Sequence, residues 1–429
     1  MSLFLGADFG TTGVRAAVID ETGSHVASCS VPMPAPAFWR RRPVQNPDAW
    51  WDAFAACMDR LSIELGVAKR KVAEIIALAV DGTSGTLLLA DSRLRPVTPA
   101  LMYNSAGFDV ESKAIARCAP RDSIVRGASS ALARLIFLQK LPEARDAAFA
   151  MHQADWVAAR LAGEGGYSDE NNVLKLGYGL VAKSWPTEMY GQLAVRVELL
   201  PEVLPVGQPS GTVCRAMRTR FGFGPGTRVV SGTTDSVASF VASGATRAGE
   251  GVTSLGTTIV LKFLSDNPIS DARYGVYSHR VFGQWLAGGA SNAGGGVLLD
   301  HFSLEQIARL CENMDTGAET DLDYYPLSSV GERFPVSDPS LKPRLTPRPR
   351  SDALFLQGML EGLTRIERTG YEVLHELGAP EVRTIRTTGG GAKNETWMRI
   401  RRRMFNCPIS VASADAATGS AMIARRSAA

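Results

Sequence analysis

Residues 3–20 read LFLGADFGTTGVRAAVID, and this stretch decides the fold class. The apolar run at 3–5 predicts a buried strand that ends at the acid Asp8. A glycine- and threonine-rich turn follows at 9–13, and the apolar run at 14–19 predicts a second strand. Glycines allow a tight turn that a ligand can approach, and backbone N–H groups in such a turn can hold phosphate oxygens. An ordinary glycine hairpin explains this one stretch equally well.

The same turn sequence occurs a second time. Residues 252–264 read VTSLGTTIVLKFL, so Gly-Thr-Thr again lies between two predicted strands, now without a preceding acid. Neither copy has the lysine of G-x-x-x-x-G-K-[ST], and neither turn leads into the helix that a dinucleotide-binding fingerprint requires. The repeat predicts two similar domains, each of which offers a phosphate-binding turn to a shared cleft.

Composition limits the function classes. The chain has 429 residues, 45% hydrophobic and 21% charged, which suits two or three globular domains. A net charge of +3 gives no indication of a nucleic-acid or membrane partner. The six cysteines include no C-x-x-C pair and the five histidines show no ligand spacing, so we predict neither a disulfide framework nor a zinc site. Asp8 interrupts the first apolar run, so we expect no signal segment and a cytoplasmic location.

Two more acids follow predicted strands. Asp81 ends the strand at 75–80 and opens the turn DGTSGT, in which Ser84 is placed to face the same cleft as the first turn. A plain hairpin turn is the alternative. Asp235 follows the strand at 227–231 and precedes a predicted helix. At such a junction an acid either caps the helix or acts as a catalytic carboxylate.

Three further stretches carry functional or surface signals. The polar cluster SDENN at 168–172 is typical of a loop but has the side chains to line a polyol site. The glycines of GGGAKN at 389–394 lie between a strand and a helix, where a flat ring or a phosphate can approach the backbone. Asn394 and Trp397, three residues apart on that helix, can contact one ligand, although a bare glycine loop is the alternative. The arginines at 399–403 predict a solvated helix face.

Taken in order, these motifs resemble the FGGY family of carbohydrate kinases over nearly the whole chain. The family implies an α/β fold of two ribonuclease H-like, actin-type ATPase domains around a central cleft. We expect a sugar-binding N-terminal domain at 1–227 and a nucleotide-binding C-terminal domain at 228–429, with a last helix that can pack back on the N-terminal domain. The motifs that carry the resemblance are GADFGTT at 6–12, GTTDS at 232–236, SLGTT at 254–258 and TGGGAKN at 388–394.

The resemblance also implies the partners and the site residues. ATP, Mg²⁺ and a small sugar are the expected ligands. Asp235 matches the catalytic base, and Asp8 matches the acid that lies near the phosphates and Mg²⁺, which it contacts through water. Asp8, Ser84 and Asp235 fall where the sugar binds. The positions that match the nucleotide site are Thr11, Thr12, Gly256, Thr257, Gly390, Gly391, Asn394 and Trp397.

The expected reaction is phosphorylation of a pentulose. The short chain and the stretch SDENNVLKLGY at 168–178 resemble the D-ribulose kinase-like branch, which implies conversion of D-ribulose to D-ribulose 5-phosphate. Many family members carry W-x-D-x-R where this chain has MYNSAG at 102–107, which weakens the case for glycerol or xylulose. D-Xylulose remains the alternative sugar. Two other classes stay open: an actin- or chaperone-like ATPase, and a sugar sensor without turnover. The sequence does not indicate the oligomeric state.

Overall fold

The computed structural model describes residues 2–127, 129–312 and 314–428, which form two compact units. The first unit runs to Ala242 and also takes in His279–Gly283 and the residues from Asp415 onward, and the second comprises Ser243–Ser278 and Gln284–Ala414. The first boundary therefore lies at 242/243 rather than at the predicted 227/228. Both units combine sheets with helices, which confirms the predicted α/β class.

The elements of the first unit come in chain order as follows. Its strands are β1 (Leu3–Phe9), β2 (Gly13–Asp20), β3 (His25–Pro32), β4 (Ala37–Trp39), β5 (Arg42–Gln45), β6 (Ile75–Gly82), β7 (Leu87–Ala90), β8 (Ala100–Leu101), β9 (Phe149–His152), β10 (Tyr167–Asp169), β11 (Glu202–Leu204), β12 (Pro209–Thr212) and β13 (Arg228–Thr234). Its helices up to Ala242 are α1 (Pro47–Val67), α2 (Asp109–Cys118), α3 (Ala131–Leu138), α4 (Gln153–Ala162), α5 (Thr187–Gln192), α6 (Arg215–Phe221) and α7 (Asp235–Ala242). Short 3₁₀ helices occupy Val72–Glu74, Ile124–Arg126, Pro142–Asp146, Asn172–Leu176 and Val197–Leu199.

The main sheet of the first unit has the strand order β12-β13-β6-β1-β2-β3. Strands β1, β2 and β3 form an antiparallel meander, and β13, β6 and β1 run parallel. The strand β13 belongs to this sheet because it pairs with β6, which is why the first unit extends past residue 227. The parallel pairing brings the carboxyl ends of three strands to one edge.

Helix α1 covers one face of this sheet. Its N-cap is Asn46, whose side chain accepts a hydrogen bond from the backbone N–H of Asp48, and Pro47 occupies the first turn. The buried apolar residues of α1 share a core with β1 and β2. A disulfide between Cys29 and Cys57 links β3 to α1, which the spacing of the cysteines did not predict.

The elements of the second sheet follow in chain order. Its strands are β14 (Glu250–Leu255), β15 (Ile259–Ser265), β16 (Tyr277–Val281), β17 (Gln284–Ala290), β18 (Thr384–Thr388) and β19 (Ile409–Val411), in the order β16-β17-β15-β14-β18-β19. The helices of the second unit are α8 (Gly296–Leu299), α9 (Leu304–Glu312), α10 (Asp352–Glu376) and α11 (Glu395–Met404), with a 3₁₀ helix at Gly390–Lys393. Strand β14 pairs antiparallel with β15 and parallel with β18, just as β1 pairs antiparallel with β2 and parallel with β6. The second unit thus repeats the strand–turn–strand arrangement of the first.

The last helix, α12 (Ala416–Arg426), packs within the first unit. The backbone of α12 approaches β1 so closely that a Cβ at Gly6 would lie 1.9 Å from the carbonyl oxygen of Ala417. A Cβ at Gly419 would lie equally close, 1.9 Å, to the carbonyl oxygen of Ala238 in α7. Glycine at both positions is therefore required for this packing. Among the helices that the structure describes, none combines the length and the apolar character needed to cross a membrane.

The predicted solvated face of α11 is wrong in part. Arg401 is fully buried and forms an ion pair with Glu367 of α10, with 2.6 Å between Nη2 and Oε1. Arg403 forms a 2.6 Å ion pair with the buried Glu361. Arg402 alone of these three is largely exposed, and it pairs with Glu395 on the surface. The arginine run therefore mixes structural and surface roles.

Candidate functional site

Three carboxyl groups meet at the edge where the parallel strands of the first unit end. Asp8 lies opposite Asp81 in the register of β1 and β6, and Thr233 of β13 lies opposite Asp81 on the other side. Asp235 begins α7 directly after β13. Negative charge on both Asp8 and Asp235 acts on Asp81. The carboxyl ends of parallel strands are the usual binding edge of α/β sheets, and the structure brings the predicted Asp8 and Asp235 together there.

Asp81 occupies the centre of this cluster. Its side chain is fully buried, and Ser420 of α12 donates a 2.6 Å hydrogen bond to its Oδ2. Within the part of the chain that the structure describes, its Oδ1 accepts no hydrogen bond. Burial, and then the negative charge of Asp8, raise the pKa of Asp81 well above its usual value. The uncharged form of Asp81 is therefore favoured at this position, beside the carboxyl groups of Asp8 and Asp235.

Asp8 is tied to a cation beside the first turn. Arg15 of β2 donates from Nη1 to Asp8 Oδ2 at 2.8 Å, and the two residues are opposite each other in the β1–β2 register. The same Nη1 lies 3.2 Å from the position that a Cβ of Gly10 would take. Sequence analysis missed Arg15, although its place one strand position from the turn could have indicated it. A guanidinium at this turn suits a phosphate.

The first turn has a fixed backbone. Gly10 N–H donates to the carbonyl of Gly13 at 3.1 Å, and the carbonyl of Thr11 accepts from Gln45 Nε2 at 2.9 Å. The carbonyl of Thr12 accepts from the backbone N–H of Met33 at 2.9 Å. Both carbonyls therefore point to protein donors, and the side chain of Thr12 is left exposed. These bonds hold the backbone of the turn in one conformation.

Asp235 lies at the start of α7, where both the capping and the catalytic interpretations expect an acid. It is half-buried, and its Oδ1 accepts a 2.6 Å hydrogen bond from the backbone N–H of Ser236 in the first turn of α7. The positive end of a helix favours a negatively charged side chain at this position. An ionised carboxylate fixed at a sheet edge can accept a proton from a hydroxyl group.

The turn after β6 places Ser84 close to a lysine. Lys175 donates from Nζ to the backbone carbonyl of Ser84 at 3.1 Å. Burial, and then the positive charge of Arg134, lower the pKa of Lys175 to about 8, whereas the charge of Asp235 acts in the opposite direction. Ser84, Lys175 and Asp235 are therefore neighbours. Sequence analysis assigned no role to Lys175.

Two asparagines of the polar cluster at 168–172 are engaged inside the protein. Asn171 is buried and donates from Nδ2 to Thr233 Oγ1 at 2.9 Å and to the carbonyl of Arg280 at 2.7 Å. Asn172 is also buried and donates from Nδ2 to Asp169 Oδ2 at 2.6 Å. Both amides therefore have partners within the protein, and Asn171 links the cluster to β13, so the polyol site expected of this cluster is not built from these two side chains.

In the second unit, three glycine turns lie side by side. Gly295 and Gly296 donate from their backbone N–H groups to the carbonyls of Gly256 and Thr257, at 2.8 and 3.1 Å. Gly389 has a φ of 85°, and a Cβ there would lie 2.6 Å from the carbonyl of Leu255. The glycines at 294–296 thus lie beside the two predicted turns. Sequence analysis assigned them no role. The side chain of Thr257 is exposed on the resulting surface.

Trp397 and Asn394, which were predicted to contact the nucleotide, both make contacts within the protein. Trp397 is 1% exposed, and its Nε1 donates to Thr364 Oγ1 at 3.2 Å within the core. Its ring lies 2.7 Å from the position of a Cβ on Gly391, so it supports the turn from below. Asn394 Oδ1 caps α11 by accepting from the backbone N–H of Trp397 at 3.0 Å. The structure therefore places Trp397 under the turn, and it leaves open space above Gly390.

Comparison with known proteins identifies related chains. The model of the N-terminal domain of FGGY carbohydrate kinases matches residues 3–242, and that of the C-terminal domain matches residues 251–428. The xylulose kinase of Streptomyces coelicolor is 28% identical over 96% of this chain and 85% of its own length. The xylulose kinase of Bacillus subtilis is 23% identical over 95% of this chain and 84% of its own.

Solved structures show the same fold. The xylulose kinase of Rhodospirillum rubrum superimposes with a TM-score of 0.85 at 21% identity, over 100% of this chain and 90% of that one. A Plasmodium falciparum glycerol kinase with ADP gives a TM-score of 0.85 at 15% identity, with the same coverage of both chains. At these identities the likeness concerns the fold, and it confirms the predicted two-domain, ribonuclease H-like architecture.

Proposed function

Because the chain belongs to the FGGY family of carbohydrate kinases, we propose that it transfers a phosphoryl group from ATP to the terminal hydroxyl of a ketopentose. The carboxyl cluster of Asp8, Asp81 and Asp235 is the observation that supports this most. Phosphoryl transfer requires a positioned hydroxyl, neutralised phosphate charge and a group that takes the hydroxyl proton. The cluster offers one buried acid, whose raised pKa favours its uncharged form, beside two carboxyl groups with different surroundings, which suits a division of these tasks.

Each carboxylate has a distinct proposed role. Asp235 takes the proton from the sugar hydroxyl, because it lies at a helix start beside Ser84 and Lys175. Asp8 lies against the first turn and the Arg15 guanidinium. Mg²⁺ is usually held by one or two carboxylates, waters and substrate phosphates, so a single carboxylate at Asp8 fits a water-mediated ion that neutralises phosphate charge.

The phosphates of ATP are assigned to the glycine turns. We propose that Thr11 and Thr12 bind phosphate oxygens in the first unit, next to Arg15. Gly256 and Thr257 serve the same purpose in the second unit, and the space above Gly390 takes the adenosine. Asn394 and Trp397 act on the nucleotide only by supporting the turn that carries Gly390 and Gly391.

D-Xylulose is the favoured sugar, with D-ribulose second. The curated relatives described above are named xylulose kinases, whereas the preference for D-ribulose rested on the stretch at 168–178. The buried amides of Asn171 and Asn172 in that stretch are engaged inside the protein, so they give no sugar contact that would favour one pentulose. The relatives therefore carry more weight than the stretch.

A substrate screen tests the proposal. ADP release is measured with D-xylulose, D-ribulose, glycerol and gluconate, and without sugar. We expect the highest kcat/KM with D-xylulose. A preference for glycerol or gluconate would contradict the proposed sugar class. ADP release that is independent of any sugar would favour the actin- or chaperone-like ATPase, and sugar binding without ADP release would favour a sensor.

The adenosine position gives a specific prediction. Gly390→Leu fills the open space above the third glycine turn, so we expect the KM for ATP to rise roughly tenfold or more, the equivalent of at least about 1.4 kcal/mol of binding. The KM for the sugar should stay within about twofold, since the turn lies in the second unit and the proposed sugar residues lie in the first. Initial rates at varied ATP and at varied sugar measure both constants.

Two control variants show whether the effect of Gly390→Leu is specific to ATP binding. Gly66→Leu also adds a side chain where no heavy atom lies within 4 Å, but it lies at the end of α1, so both KM values should remain unchanged. Gly391→Leu would meet the Trp397 ring at 2.7 Å and should lower thermal stability instead. Equal increases in both KM values for Gly390→Leu would remove the adenosine assignment.

A further inference from the structure

Lys175 is a partly buried cation that the proposed mechanism leaves unused. It lies in the 3₁₀ helix Asn172–Leu176, where its neighbours Leu174 and Leu176 are buried and fix the backbone. The Nζ atom donates one hydrogen bond, to the carbonyl of Ser84. Among the described residues, no carboxylate lies within ion-pair distance of this nitrogen, which sets Lys175 apart from the paired cations of the fold.

The side chain reaches this place through a passage that a glycine keeps open. Gly85 has a φ of 93°, and a Cβ there would lie 3.2 Å from Cδ of Lys175. The lysine stem therefore runs directly over the turn that follows β6, and its ammonium ends beside Ser84. The position is set by contacts from two segments 91 residues apart, so it is a defined feature of the unit.

A cation in this environment lacks a strong acceptor. An ammonium has three donors and no acceptor, and one donor is used by the Ser84 carbonyl. Withdrawing a charge from water is unfavourable unless hydrogen-bond partners replace the water. Burial lowers the pKa of Lys175 to about 8, so it is still charged at neutral pH. A bound molecule with acceptor oxygens would supply the missing partners.

The neighbouring arginine is not available for this task. Arg134 of α3 is fully buried, and its guanidinium donates to the backbone carbonyls of Met102, Tyr103, Ser105 and Ser130. Arg134 therefore fixes the loop that follows β8. Its positive charge faces Lys175, and the negative charge of Asp235 faces it from α7. These charged groups surround the ammonium, and of the two cations Lys175 is the one with free donors.

We propose that the ammonium of Lys175 binds an oxygen of the sugar next to Ser84 and favours a keto group over a hydroxyl group. This rests on the proposed function, since it assumes that the sugar lies beside Ser84 and Asp235. A carbonyl oxygen only accepts hydrogen bonds, so an ammonium donor satisfies it and no further acceptor is needed. A hydroxyl group at the same place must also find an acceptor for its own proton, which Lys175 and Arg134 do not offer. Lys175 is thus a specificity-determining residue for ketoses over polyols.

Lys175→Met tests the proposal, because it removes the ammonium and keeps an unbranched side chain. We expect kcat/KM for D-xylulose to fall by about tenfold to a hundredfold, mainly through KM, with the KM for ATP unchanged. Binding of xylitol, which carries a hydroxyl in place of the carbonyl, should weaken less than binding of D-xylulose. Lys113→Met, on the exposed surface of α2, is the matched control and should leave every constant unchanged.

The pH profile separates ligand binding from a structural role. The charged ammonium is a stronger hydrogen-bond donor than the neutral amine, so kcat/KM of the wild type for D-xylulose should fall as pH rises through about 8. Lys175→Met should lack this fall, and Lys175→Arg should shift it upward, because a guanidinium stays charged. A Lys175→Met enzyme with wild-type kcat/KM and pH profile would overturn the proposal, as would an equal loss of D-xylulose and xylitol binding.

A binding measurement distinguishes failure of the role proposed for Lys175 from failure of the proposed kinase function. Calorimetric titration of D-xylulose without nucleotide measures binding alone. If the wild type binds the ketose but transfers no phosphate, the proposed kinase activity is wrong, and weaker binding by Lys175→Met still supports the role of Lys175. If the wild type phosphorylates the ketose and Lys175→Met binds it equally well, the role of Lys175 is wrong and the kinase stands.

Discussion

Asp235→Asn should lower kcat by about two to four orders of magnitude, the range usual for loss of a general base. The amide cannot take the proton of the attacking hydroxyl, whereas the side chain keeps its size. Asparagine is as good a helix N-cap as aspartate, so α7 should keep its first turn and its hydrogen bond from Ser236. The KM for ATP should change little, because the proposed nucleotide residues are elsewhere.

Steady-state kinetics together with thermal unfolding distinguish the two interpretations of this residue. If Asp235 is the base, kcat collapses while the unfolding midpoint stays near that of the wild type. Asp235→Ser is the matched control, since serine also caps a helix but cannot act as a carboxylate base, and it should be equally inactive. Near-normal kcat in Asp235→Asn would reduce Asp235 to a helix cap and remove the proposed mechanism.

Arg401→Met should destabilise the protein by about 3–5 kcal/mol, the usual cost of breaking a buried ion pair from one side. The substitution leaves the carboxylate of Glu367 buried. The hydroxyl of Thr253 still donates to it at 2.6 Å, and Tyr371 lies beside it. It also removes the 2.6 Å hydrogen bond from Arg401 to Thr387 Oγ1 of β18. Urea denaturation, monitored by tryptophan fluorescence, measures the decrease in the free energy of unfolding.

The adjacent arginine is the matched control for this effect. Arg402→Met breaks the surface pair with Glu395 and a long 3.5 Å hydrogen bond from Nε to the carbonyl of Ile409, so its cost should stay within about 1 kcal/mol. Adding Glu367→Gln to Arg401→Met removes the unpaired buried charge and should recover part of the stability. A loss below about 1 kcal/mol for Arg401→Met would contradict the structural role of the pair.

Local sequence signals predicted the strand-forming parts of the fold well. The apolar runs on either side of Gly10-Thr11-Thr12 became β1 and β2, and those around Gly256-Thr257 became β14 and β15. These predictions succeeded because a strand and its turn depend on neighbouring residues. Asp8 and Asp235 could be placed at strand ends for the same reason.

Contacts between distant segments could not be predicted in the same way. The pKa of Asp81 is raised because its side chain is fully buried, and its partner Ser420 is 339 residues away. Trp397 appeared accessible on its helix but is covered by α10 through Thr364. Arg401 and Asn171 read as surface and site residues, although each is buried against partners from other segments. Burial of a polar residue depends on what packs over it, which the local pattern does not contain.

The fate of the phosphoryl group tests the central claim most directly. Phosphorus NMR of a reaction with ATP, Mg²⁺ and D-xylulose should show a sugar phosphate monoester on the terminal carbon, formed in equal amount to ADP. The same spectrum recorded with Asp235→Asn should show almost none. Release of inorganic phosphate with the sugar unchanged would contradict the account, because the protein would then hydrolyse ATP without acting as a sugar kinase.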